Sequence, residues 1–154
     1  MVKAVLFDLG GTLVKEGQAI AFPHVVNVLD ELRSKFKLAI VCNTNTANLE
    51  DVKEILKQVG ILHFFDAVIV SKDVGFSKPD ERIFQIALER IGVHPSEAVM
   101  VGNRVSTDIL GGNKTGLKTI LIKHHGEPQE EMTCEMEKPS QTIYSLKELL
   151  HLEI

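Results

Sequence analysis

Asp8 closes the apolar run Val5-Leu6-Phe7 and is followed by Leu9-Gly10-Gly11-Thr12-Leu13. The run has no alternating polar face, which suits a strand buried on both sides at the centre of a parallel sheet. Ligands of such sheets bind beyond the carboxyl ends of the strands, where Asp8 would stand. Gly10 and Gly11 let the backbone turn and approach a ligand with no Cβ in the way. On this reading Asp8 is the reactive group; the competing reading is a polar residue that merely closes a strand.

The elements that must position Asp8 follow in order. Val25, Val28, Leu29 and Leu32 fall at helical spacing after Phe22-Pro23-His24. Leu38-Ala39-Ile40-Val41 reads as a second strand, with Cys42-Asn43-Thr44-Asn45-Thr46 as the polar turn at its end. Leu49, Val52, Ile55, Leu56 and Val59 predict a helix from about Leu49 to Val59, stopped by Gly60. Ala67-Val68-Ile69-Val70 is a third strand. Pro79 reads as a first helical position, which makes Lys78 a loop residue before a helix that Gly92 ends. Ala98-Val99-Met100-Val101 gives a fourth strand running into Gly102-Asn103-Arg104-Val105-Ser106-Thr107-Asp108, then a short helix through Ile109 and Leu110. Lys118-Thr119-Ile120-Leu121-Ile122 is the fifth strand. Residues 124–140 read as a surface loop before a last helix from Ser145. Alternation of strands and helices predicts an α/β, doubly wound parallel sheet with helices on both faces. The polar turns after the first, second and fourth strands, and the one before the third helix, then converge on one sheet edge.

Composition bounds the function. The 154 residues, 44% hydrophobic and 25% charged, fit one domain burying on the order of 70% of its unfolded surface. A net charge of -4 with no basic run argues against a nucleic-acid partner. Cys42 and Cys134 alone cannot frame a disulfide scaffold or a zinc site. No stretch approaches the ~18 apolar residues of a membrane span, and the first apolar run lacks a signal peptide's pattern. The expectation is a soluble, cytoplasmic protein without a membrane partner.

Four stretches together, Phe7-Asp8-Leu9-Gly10-Gly11-Thr12, Cys42-Asn43-Thr44, Gly75-Phe76-Ser77-Lys78-Pro79-Asp80 and Val101-Gly102-Asn103 through Asp108, resemble the haloacid dehalogenase superfamily. Its pattern is a strand ending in DxDx[TV], a strand ending in Ser or Thr, a Lys before Pro and a late acid pair. The resemblance covers nearly the whole chain and implies a Rossmann-like core. It also implies a phosphatase with Asp8 as nucleophile, Lys78 as charge stabiliser and Cys42, Asn43 and Thr44 around the phosphate. Mg²⁺ would be held by Asp8, the Gly10 carbonyl, Asn103 and Asp108. The chemistry is coherent: a carboxylate divides phosphoester hydrolysis into formation and breakdown of an aspartyl-phosphate, and the repulsion of two anions calls for a cation and an ammonium nearby. Asp108 has a second reading as an acid favoured by a helix N-terminus.

The chain departs from the pattern at three places. Gly10 stands where most phosphatases of the family carry the acid that moves the leaving-group proton, so good leaving groups such as aryl or acyl phosphates are expected, unless His24 or water supplies the proton. Cys42 replaces the phosphate-binding hydroxyl, leaving Thr44 or the backbone N–H groups of Asn43 and Thr44 to serve. Asn103 replaces an acid and weakens the expected hold on Mg²⁺. These departures motivate the alternative of a catalytically weak member used as a binding or regulatory protein. Neither cap insertion of the family is present, which implies an open site covered by a large phosphorylated substrate or by a second copy in a homo-oligomer. Cys42 otherwise reads as a small buried hydrophobe, Arg104 as either a substrate contact or a solvated side chain, and the neighbours His124 and His125 as no joint metal site.

Overall fold

The computed structural model describes all residues, Met1–Ile154. Strands β1 (Ala4–Phe7), β2 (Lys37–Cys42), β3 (Ala67–Val70), β4 (Ala98–Gly102), β5 (Lys118–Ile122) and β6 (Gln141–Ile143) form one parallel sheet in the order β3-β2-β1-β4-β5-β6. Every residue of β1 and β4 is buried, as expected for strands with no polar face. β1 lies between β2 and β4, with Phe7 opposite Ile40 and Val101. The strand order reverses at this centre, where the crevice for a ligand forms.

Alternate β1 side chains feed two cores. Val5 and Phe7 pack on the face covered by α1 (Val25–Arg33), α2 (Leu49–Val59) and the C-terminal 3₁₀ helix Leu146–His151. Ala4 and Leu6 pack on the face covered by α4 (Glu81–Ile91), which buries Ile83, Phe84, Ala87, Leu88 and Ile91. α2 starts at a reciprocal cap, in which the Asn48 side chain accepts the Asp51 N–H and the Asp51 carboxylate accepts the Asn48 N–H. It stops at Gly60 in the left-handed conformation. No helix is long and apolar enough to cross a membrane.

Several expectations need correction. Ser71–Val74 forms a short helix, α3, directly after β3. Pro79 is not the first helical residue: Asp80 caps α4 by accepting the Arg82 N–H, so α4 begins at Glu81 and Pro79 precedes the cap. The segment after β4 makes one π-helical turn, Val105–Ile109, before α5 (Leu110–Thr115). Residues 124–140 are not wholly a surface loop, since His124 and Glu137 are buried. Glu137 accepts the N–H and hydroxyl of Thr133 and so folds the loop on itself. The loop leads into β6, a sixth strand at the sheet edge.

Candidate active site

Asp8 continues the line of β1, its N–H donating to the Val101 carbonyl at 3.0 Å. Its carboxylate meets two donors. Lys78 Nζ lies 2.9 Å from Oδ1, and the Thr12 hydroxyl donates to Oδ2 at 3.2 Å. The same ammonium lies 2.7 Å from Asp108 Oδ1, so Lys78 bridges two carboxylates. All three residues are buried. Lys78 reaches them from the loop before α4, and that loop is held by Asn43: Asn43 Nδ2 donates to the Lys78 carbonyl and Asn43 Oδ1 accepts the Lys78 N–H.

Asp108 is positioned by the π-helical turn, a geometry often found at functional sites. Its Oδ2 accepts the N–H groups of Asn103 and Arg104, each at 3.1 Å. Gly102 makes room for it, because a Cβ there would run into the Asp108 carboxylate. Gly11, at φ +81°, brings the backbone under the Asn103 amide, and Asn103 Oδ1 accepts from the Thr12 hydroxyl at 3.4 Å.

Electrostatics follow from this burial. Burial opposes the charge on Lys78, but the Asp108 and Asp8 carboxylates outweigh it and hold the ammonium protonated above its usual range. Asp108 is raised to about 6 by burial and by the neighbouring Asp8 charge, with Lys78 opposing. Burial pushes the Cys42 thiol up to about 12, which leaves it a neutral, apolar wall.

Asp8 and Lys78 open on a cavity of about 360 Å³, bounded by Gly10, Cys42, Asn43, Thr44 and Arg104, with Asp108 fully buried behind them. The residues expected to act together are therefore assembled at one edge of the sheet. Within the turn after β2, the Thr44 N–H donates to Ser71 Oγ and the Thr44 hydroxyl to the Ala47 carbonyl. The Asn43 N–H, like those of Leu9 and Gly10, donates to no atom of the chain. His24 and the His124-His125 pair lie elsewhere, around a separate hollow with Phe22 and Tyr144. His124 stacks on Phe22 at 3.7 Å, whereas His125 is exposed. Two contributors escaped the sequence reading as individual residues: Thr12, whose signal was its place four residues past Asp8, and Glu16, which lines the cavity.

The family model for haloacid dehalogenase-like hydrolases matches residues 14–122. The chain belongs to this family. It is 43% identical over 102 residues to a glyceraldehyde 3-phosphate phosphatase of Methanothermobacter thermautotrophicus, covering 66% of this chain and 44% of that protein. It is 36% identical over 132 residues to the pyrimidine 5'-nucleotidase YjjG of Escherichia coli, covering 84% of this chain and 55% of that protein. The chain thus spans about half the length of the curated relatives it matches. A crystal structure of a phosphatase of this family from Thermococcus onnurineus superposes with a TM-score of 0.80 at 24% identity, over 97% of both chains. That likeness shows a shared fold.

Proposed function

We propose that this protein is a Mg²⁺-dependent phosphohydrolase that works through an aspartyl-phosphate on Asp8. The observation that carries the reading is the buried Asp8–Lys78–Asp108 trio, in which Asp8 and Lys78 line the cavity and Asp108 backs the ammonium. The names of the relatives, a sugar-phosphate phosphatase and a nucleotidase, support a phosphomonoester substrate.

The donor set fits Mg²⁺. Ionised carboxylates offer about four acceptor sites each. Asp8 spends two of them on Lys78 and Thr12, and Asp108 spends three on Lys78, Asn103 and Arg104, so both keep capacity for a cation. The Gly10 carbonyl accepts no backbone hydrogen bond, and Asn103 Oδ1 faces the same Thr12 hydroxyl as Asp8 Oδ2. Two carboxylates with neutral oxygens, completed by water and phosphate, suit this ion. When bound, it acts as a Lewis acid toward a phosphoryl oxygen.

The chain's own residues do the rest. Lys78 offsets charge on the phosphoryl group and holds the Asp8 carboxylate in place. Thr12 fixes the rotation of that carboxylate. The free N–H groups of Leu9, Gly10 and Asn43 are available to phosphoryl oxygens. Val14, Val52 and Ile55 together with Gln18, Asn45 and Thr46 give the leaving group a mixed wall. With no cap domain over it, the cavity admits a bulky phosphoester or is covered by a second copy of the chain.

The test is phosphate release from an aryl phosphate with and without Mg²⁺, in wild type and Asp8→Asn. Mg²⁺-dependent turnover that vanishes in Asp8→Asn is expected. Turnover indifferent to both would overturn the reading in favour of a binding protein built on the same fold.

A further inference from the structure

The backbone after Asp8 doubles back: the Gly11 N–H donates to the Val14 carbonyl, and Val14 bridges antiparallel to Ala21. Residues 14–21 so form a small hairpin beside the cavity, closed by the Lys15 N–H on the Ile20 carbonyl. Glu16 sits at its tip and turns back toward the site. A Cβ built on Gly10 would meet Glu16 Oε2 at 2.8 Å and Cδ and Oε1 at 2.9 Å. The Glu16 carboxylate therefore lies over Gly10, two residues after Asp8, where a side chain would otherwise project. It forms no ion pair within the chain and lines the cavity together with Asp8 and Lys78.

We propose that Glu16 is the catalytic proton donor and acceptor of the reaction, reaching from the hairpin over Gly10 to the leaving-group oxygen. The proposal rests on the phosphohydrolase reading above. In the first step an Asp8 oxygen bonds to phosphorus and the ester P–O bond breaks. The departing oxygen takes the proton of the Glu16 carboxyl and leaves as an alcohol. In the second step water bonds to phosphorus, its proton passes to the Glu16 carboxylate, and the Asp8–phosphorus bond breaks. Phosphate leaves, and both carboxyl groups are restored. The other ionisable groups are engaged elsewhere: Lys78 is tied to Asp8 and Asp108, and His24 lies at a different hollow.

The experiment compares wild type, Glu16→Gln and Asp8→Asn over a series from p-nitrophenyl phosphate to simple alkyl phosphates with Mg²⁺ present. Glu16 is exposed, so its variants should fold, which circular dichroism checks. A group that protonates a leaving oxygen contributes about 10²–10⁴-fold. Glu16→Gln should lose about that factor on alkyl esters and less than about tenfold on the aryl ester, whose oxygen leaves without help. Recovery of alkyl turnover by Gly10→Asp in a Glu16→Ala background would support the same assignment. An unchanged series, or equal losses on aryl and alkyl esters, would overturn the role of Glu16 while Asp8-dependent turnover keeps the phosphohydrolase reading. Absence of Asp8-dependent turnover on every ester would overturn both.

Discussion

Asn43 holds Lys78 by its backbone and not by its charge: Nδ2 donates to the Lys78 carbonyl at 3.0 Å while Oδ1 accepts the Lys78 N–H at 2.8 Å. The side chain after β2 thus sets where the ammonium of a distant loop arrives. Displacement of a catalytic group by about 1 Å can cost on the order of 10²-fold. Asn43→Ala should therefore lower kcat by about 10–10²-fold and stability by only about 1 kcal/mol, since the pair is partly solvated. Steady-state kinetics beside urea titration would separate the two effects.

Lys78 is the sole cation between two buried carboxylates. Removal of one partner from a buried ion pair typically costs about 3–5 kcal/mol, because the remaining charge is left uncompensated. Lys78→Met should lose about that much. Lys78→Met with Asp108→Asn should be more stable than Lys78→Met alone, a non-additivity that equilibrium denaturation measures directly.

His124 provides a pH dependence. Burial against Phe22 lowers its pKa, although its Nε2 lies 2.9 Å from the Thr12 carbonyl, a contact that opposes the shift. A folded-state pKa below the unfolded value means that the stabilisation is present above the unfolded pKa of about 6.5 and is lost as pH falls through the lower folded value. The Tm of wild type should fall more steeply below pH 6.5 than that of His124→Asn. Parallel melting curves over this range would refute the assignment.

The two thiols should differ sharply. Cys42 is buried with its pKa near 12, and Cys134 is exposed. Iodoacetamide at pH 8 should add one adduct to the native protein, on Cys134, and a second only in denaturant. Mass spectrometry of tryptic peptides decides it.

Much of the site was legible because its residues end apolar runs. Val5–Phe7 and Ala98–Val101 have no polar face, so the points at which Asp8 and the Asn103 turn emerge from the sheet could be read directly. The bounds of α2 were legible for a similar reason, since helical spacing is closed by Gly60. β6 was not: Gln141–Ile143 buries only Ile143, too short a pattern to carry a period. The π-helical turn and the cap at Asp80 depend on hydrogen bonds that spacing does not encode. Glu16 was hidden more deeply, because its approach to Gly10 is made by a hairpin and not by a motif.

The buried trio has a consequence for the order of events. Two carboxylates, Asp8 and Asp108, share the single ammonium of Lys78, so acidic groups outnumber basic ones within this trio. A phosphate dianion arriving alone meets like charge in a poorly screened crevice, where repulsion is strong. The queue at the cavity is thereby fixed: inorganic phosphate should bind weakly to the protein in chelator and measurably once Mg²⁺ is added, and calorimetric titrations in the two orders of addition should differ in the same sense.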